Sequence, residues 1–171
     1  DGGQDLILNT AGGATFNAAV GSGTAIGDGT GASLQIGATA GATTFANTVR
    51  TAQGITQNTA AGLLTFQQNV NVLGGATAST LNGNVTLDGL TFTSAGAVTF
   101  GDAATDQVTL SGGDVALTIT GLTTFNALVD GGQDLILNTA GGATFNAAVG
   151  SGTAIGDGTG ASLQIGATAG A

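Results

Sequence analysis

Residues 130–171 repeat residues 1–42 letter for letter. Asp1-Gly2-Gly3-Gln4-Asp5-Leu6-Ile7-Leu8 opens the first copy and the same eight letters, from Asp130 to Leu137, open the second. Whatever this chain folds into must accept one stretch twice, 129 positions apart. Self-similarity at a fixed spacing marks repeat architectures, in which each unit closes its apolar face only against its neighbours. The spacing divides the chain into one full period, residues 1–129, and the start of the next, residues 130–171. It predicts a window on a longer tandem array. No charge-rich cap marks Asp1 or Ala171, so the array is expected to continue or copies to stack end to end.

A shorter, looser period lies inside the long one. Thr-Phe followed four residues later by Val occurs at Thr15-Phe16 to Val20, Thr44-Phe45 to Val49, Thr65-Phe66 to Val70, Thr124-Phe125 to Val129 and Thr144-Phe145 to Val149. Phe and Val at that separation are expected on one face of one strand, because side chains alternate. A second short apolar segment stands ten or eleven residues earlier, at Leu6, Leu34, Ile55 and Leu135, and turn-forming Gly, Ala, Thr and Asn link the two. Residues 84–92, 97–100, 107–110 and 114–119 alternate apolar with Thr and read as further strands. Phe92 and Phe100 stand only eight apart, which predicts a rearranged turn of the coil there.

Successive Phe residues at 16, 45 and 66, and later at 125 and 145, are separated by 29, 21 and 20 residues. That is the length of one rung of a parallel β-helix. The fold expected is all-β, a right-handed parallel β-helix (β-solenoid); an antiparallel β-sandwich is the alternative. In the solenoid Phe16, Phe45 and Phe66 form one inward column, and Val20, Val49 and Val70 a neighbouring one. Asn47 and Gln68 either build an inward amide ladder or are turned to solvent by a local bend.

Composition agrees with a packed β structure. Hydrophobic residues make up 42% of the chain and charged residues 6%, the reverse of a disordered segment. The 33 Gly residues supply turns, and no Pro interrupts a backbone ladder. The net charge is −9, every acidic residue is Asp, and Arg50, expected at a rung corner, is the sole cation. Such a chain cannot neutralise a phosphate backbone, so nucleic acid is not an expected partner. No run of eighteen apolar residues is present, so no membrane insertion by a helix is expected.

Chemistry has few carriers. His, Cys, Glu, Lys and Tyr are absent, so the usual general acids, bases and activated nucleophiles are missing, and no enzyme, catalytic residue or cofactor site is expected. Gly27-Asp28-Gly29-Thr30-Gly31 resembles a phosphate loop but has no Lys and reads as a turn. Calcium is the one metal weighed, with Asp28, Asp88, Asp102, Asp106 and Asp114 in Gly-containing turns; Asp also favours turns for its own sake. Thr86, Thr99 and Thr109 lie outward on successive strands, an arrangement that would suit a flat binding surface, ice included.

The recurring Thr-Phe-x-x-x-Val, the paired Leu-x-Leu and Val-Thr-Leu strands and the Gly/Ala/Thr/Asn/Asp bias without Cys resemble large secreted bacterial β-strand-repeat proteins, the filamentous-haemagglutinin-like adhesins and autotransporter passenger domains. The resemblance covers the whole chain as a pattern. It implies export, a parallel solenoid and a place on or outside the cell. The expected role is a structural subunit of an extracellular or cell-surface fibre that associates with itself end to end or side by side. An adhesin or a surface-, glycan- or ice-binding module is the alternative.

Overall fold

A computed structural model describes residues 1–166; residues 167–171, the end of the second copy, lie outside the described residues. Three-residue apolar-polar-apolar segments such as Leu64-Thr65-Phe66 bury their outer members and turn the middle one out. Each is too short to fold alone, and each is completed by the same element one turn away. The chain winds through three faces in constant order.

The first turn holds β1 (Leu6–Leu8) and β2 (Ala14–Phe16). It reaches the third face only through Val20 and Ile26, which bridge Val49 and Thr51. Then come β3 (Leu34–Ile36), β4 (Thr43–Phe45) and β5 (Val49–Thr51), followed by β6 (Ile55–Gln57), β7 (Leu64–Phe66) and β8 (Val70–Val72). The next turns hold β9 (Ser79–Leu81), β10 (Val85–Asp88) and β11 (Thr91–Ser94), and then β12 (Val98–Phe100), β13 (Gln107–Ser111) and β14 (Val115–Ile119). After them stand β15 (Thr123–Phe125), β16 (Leu128–Asp130), β17 (Leu135–Thr139), β18 (Ala143–Phe145) and β19 (Leu163–Ile165).

Hydrogen bonding joins these into sheet I (β1-β3-β6-β9-β12-β15-β18), sheet II (β2-β4-β7-β10-β13-β16) and sheet III (β5-β8-β11-β14-β17-β19). The strand pairs are parallel, from Leu6↔Leu34 at one end to Leu135↔Leu163 at the other, so the molecule is a parallel β-solenoid and not an antiparallel sandwich. Turn length runs from 19 residues (Ser79 to Val98) to 29 (Ala14 to Thr43). The longest turn owes its length to residues 21–25, which loop out beside Arg50. Val20 O accepts from Arg50 N at 2.9 Å, and Arg50 O accepts from Ile26 N at 3.2 Å.

The two copies fold alike over their described residues. Gly2 and Gly131 have φ of 131° and 132°, Gly13 and Gly142 81° and 84°, Gly27 and Gly156 113° and 109°. They do not lie on the same faces. β1 is in sheet I and its copy β17 in sheet III; β2 is in sheet II and its copy β18 in sheet I. From β1 to β15 the chain completes five turns, and β17 lies two faces further on. One period therefore advances the coil by five turns and two thirds.

The core is the wound interior, with Leu34, Phe45, Ile55, Phe66, Phe92, Phe100 and Phe125 fully buried. Each such side chain contributes about 1.5–3 kcal/mol. Phe16, Phe45 and Phe66 stack on sheet II with centroids 4.8 and 5.4 Å apart. Phe100, Phe125 and Phe145 stack on sheet I at 5.1 and 4.6 Å. Phe92, on sheet III, joins the two runs by edge-to-face contacts at 6.2 Å on both sides. The coil is thus regular where a rearranged turn is expected; the aromatic column changes face instead. Val20, Val49 and Val70 stack as expected.

Two expectations need correction, and one open alternative is settled. Phe and Val of the recurring motif sit on different strands: Phe45 ends β4, Val49 begins β5, and the chain bends at Asn47 between them. Of the two alternatives for Asn47 and Gln68 the solvent-facing one holds: both lie at such bends and are exposed. A partly exposed amide chain runs instead where sheet I strands end, Asn146 Nδ2 donating to Asn126 Oδ1 at 2.8 Å and Asn126 Nδ2 to Gly101 O at 3.1 Å. Arg50 lies mid-strand in β5, not at a corner, and its guanidinium donates to Gly23 O at 3.5 Å.

Two outcomes follow from this packing. Gly101 has φ +75°, and a Cβ there would come within 2.7 Å of the Ala127 Cβ. Gly101→Ala is expected to lower stability by about 1–3 kcal/mol in urea denaturation. Gly132→Ala, with nothing within 4 Å and no such φ, should stay within about 0.5 kcal/mol. The single tryptic bond, after Arg50, lies in a strand paired on both sides. Native chain should survive trypsin under conditions that cleave urea-unfolded chain at that one position; comparable native cleavage would contradict the ladder.

Candidate functional site

The acidic side chains are the first candidates, and the winding scatters them. Asp28 lies in the loop before β3, Asp88 ends β10, Asp102 and Asp106 share the loop between β12 and β13, and Asp114 precedes β14. Only Asp102 and Asp106 come together. Each carboxylate serves its own turn or another rung. Asp106 Oδ2 accepts from the N–H groups of Asp102 and Ala103, both at 3.0 Å. Asp102 accepts from the Thr59 hydroxyl. Asp88 Oδ1 accepts from Ser111 Oγ at 3.0 Å, and Asp114 Oδ1 from Asp134 N at 3.2 Å. Among the described residues no three acidic side chains gather to hold a cation.

Residues 27–31 form a turn. Asp28 Oδ1 accepts from Thr30 N at 2.8 Å and from Thr30 Oγ1 at 2.7 Å, and the copy repeats this between Asp157 and Thr159 at 2.7 Å each. The Thr hydroxyl, and after it the same residue's N–H, holds both carboxyls below the usual carboxylate value. Sequence reading missed Asp130 and Asp134, which are 3% and 2% exposed. Asp130 accepts from Gly152 N at 3.0 Å and Gln107 Nε2 at 3.3 Å. Its copy Asp1 is exposed. No local signal separates the two, because the covering residues arrive from other rungs.

The outer faces are more ordered than the acidic groups. Thr86 and Thr109 belong to sheet II and Thr99 to sheet I, so the three expected outward threonines do not form one array. Each belongs to a longer one. On sheet II, Thr15, Thr44, Thr65, Thr86 and Thr109 stand in register. On sheet I, Thr56, Thr80, Thr99, Thr124 and Thr144 do the same. Backbone pairing sets the rows about 4.8 Å apart. Hydrogen-bonded threonine hydroxyls among the described residues are those of Thr30, Thr39, Thr43, Thr59 and Thr159, none of them in either ladder. Ile7 and Gln35 extend the sheet I row, so its outward centre line carries no charge. A shallow groove of about 340 Å³ runs there, floored by Ile7, Gln35, Thr56 and Thr80 and edged by Asn58 and Asn82.

The wound ends differ from the middle. Leu34 and Ile36 are 0% and 2% exposed beneath β6, whereas their copies Leu163 and Ile165, with no strand beyond them among the described residues, are 40% and 71% exposed. At the other end a cavity of about 600 Å³ opens over Leu6, Phe16, Val20 and Ile26. Identical segments thus differ in burial solely through the presence of a covering rung.

A carboxyl whose value is lowered in the folded state favours folding above the unfolded value, and that contribution is lost as pH falls through the folded value. Asp28 and Asp157 are of this kind, and no side chain in the sequence ordinarily titrates near neutrality. The denaturation midpoint is expected to stay level from about pH 6 to 8 and to fall only below the ordinary carboxylate value of 3.8. Asp28→Asn with Asp157→Asn should flatten part of that acid slope; a transition centred near neutrality would contradict the assignment. Compared with known proteins, the chain matches no family model, no curated protein and no solved structure.

Proposed function

We propose that the chain is a segment of a β-solenoid fibre at the cell surface or outside the cell, its task being length and continuity and not catalysis. One observation carries this reading. The second copy enters the coil two faces on from the first, in the same conformation, and neither the backbone ladders nor the Phe column breaks at the junction. A sequence that tiles its own fold without a seam can be extended by adding periods. The resemblance to secreted β-strand-repeat proteins supports the location.

A second reading, a module that adheres to an external surface, is favoured by one feature, the two rows of unengaged threonine hydroxyls.

Chains of one, two and three periods test the first reading. Five and two-thirds turns at the strand spacing should add about 27 Å of rod per period in electron micrographs. Compact particles whose length does not grow with period number would sink it.

A further inference from the structure

The two threonine ladders are pieces of one. Thr144 is the copy of Thr15, yet it sits on sheet I above Thr124, whereas Thr15 begins the row on sheet II. The two-thirds-turn advance therefore places, on top of the sheet I row, the strand that begins the sheet II row. A following period laid down in the same register would add the copies of Thr44, Thr65, Thr86 and Thr109 above Thr144. The result is nine consecutive outward threonines on one face, recurring on each face in turn.

We infer that this threonine face is a lateral docking surface for a second copy of the chain, joining solenoids side by side. The inference rests on the fibre reading and names its partner and surface. Three observations favour a second copy over other occupants. A second solenoid of the same rung spacing stays in step with the row over its whole length, as facing sheets do in a dry zipper. The centre line of the sheet I face is uncharged while the chain carries −9, so two copies approach there with the least repulsion. The seven phenylalanines all lie in the stacked interior column, which leaves the face without the aromatic platform that ring-shaped ligands stack on.

Area sets the behaviour. Seven three-residue strands cover about 340 Å² per partner, or about 680 Å² in all, below the roughly 1,200 Å² of a stable complex. One chain should pair weakly, and added periods should strengthen the pairing through multivalency.

The chain has no Cys, so a single introduced one reports its own face. Thr99→Cys on sheet I, Thr65→Cys on sheet II and Thr93→Cys on sheet III are oxidised separately in the 171-residue chain at about 1 mM, where weak pairs are populated. Disulfide dimers are expected about tenfold faster at Thr99 and Thr65 than at Thr93. Adding Thr80→Asp and Thr124→Asp to Thr99→Cys should remove that excess, with circular dichroism unchanged. Equal rates at the three positions overturn the inference. Equal rates together with ice-recrystallisation inhibition or retention on insoluble polysaccharide overturn it in favour of an external surface. Rods that lengthen with period number but show no face preference leave the fibre reading intact and remove this one.

Discussion

The parallel backbone ladder is the constraint from which the rest of the molecule follows. Each three-residue strand has hydrogen-bonding partners only on the turns above and below, so every turn must present equivalent residues at equivalent places. That requirement stacks Leu on Leu, Phe on Phe and Val on Val. It also concentrates chain-length variation at the corners, where an extra residue costs no ladder bond. Residues 21–25 show the rule at its limit: five residues leave the sheet, and Arg50 still has both backbone groups satisfied by Val20 and Ile26.

The period and the turn do not match. Because the repeat ends two faces away from where it began, the inward lining cannot be a fixed column on one sheet. The phenylalanines run along sheet II, cross through Phe92 and continue along sheet I, and the two edge-to-face contacts mark the crossings. The same mismatch spreads every surface feature around the axis. Leu6 on sheet I recurs as Leu135 on sheet III, and Thr15 on sheet II recurs as Thr144 on sheet I.

The interior is not wholly apolar. Thr51, Thr123 and Thr139 point inward, and their hydroxyls lack a hydrogen-bond partner among the described residues. A buried hydroxyl left in that state costs about 1–3 kcal/mol. β-Branched shape suits the strand at these positions. The coil tolerates such flaws because its core is a sum over turns, each weakly dependent on distant ones.

Local chemistry was legible in the letters. The apolar-polar-apolar triplets, the glycines at corners, the Phe and Val columns and the parallel winding follow from short-range pattern and from recurrence, which need only neighbouring residues and the next turn. Face assignment was not legible, because it depends on the summed length of every preceding turn, and corners from Ser79–Val98 to Ala14–Thr43 differ by ten residues. For that reason Thr86 and Thr99 looked like neighbours and lie on different sheets. Phe45 and Val49 were read as one strand because a bend at a single exposed residue leaves no trace in alternation. Burial of Leu34 against exposure of Leu163 was decided by tertiary structure alone, since the letters are the same and only the covering rung differs.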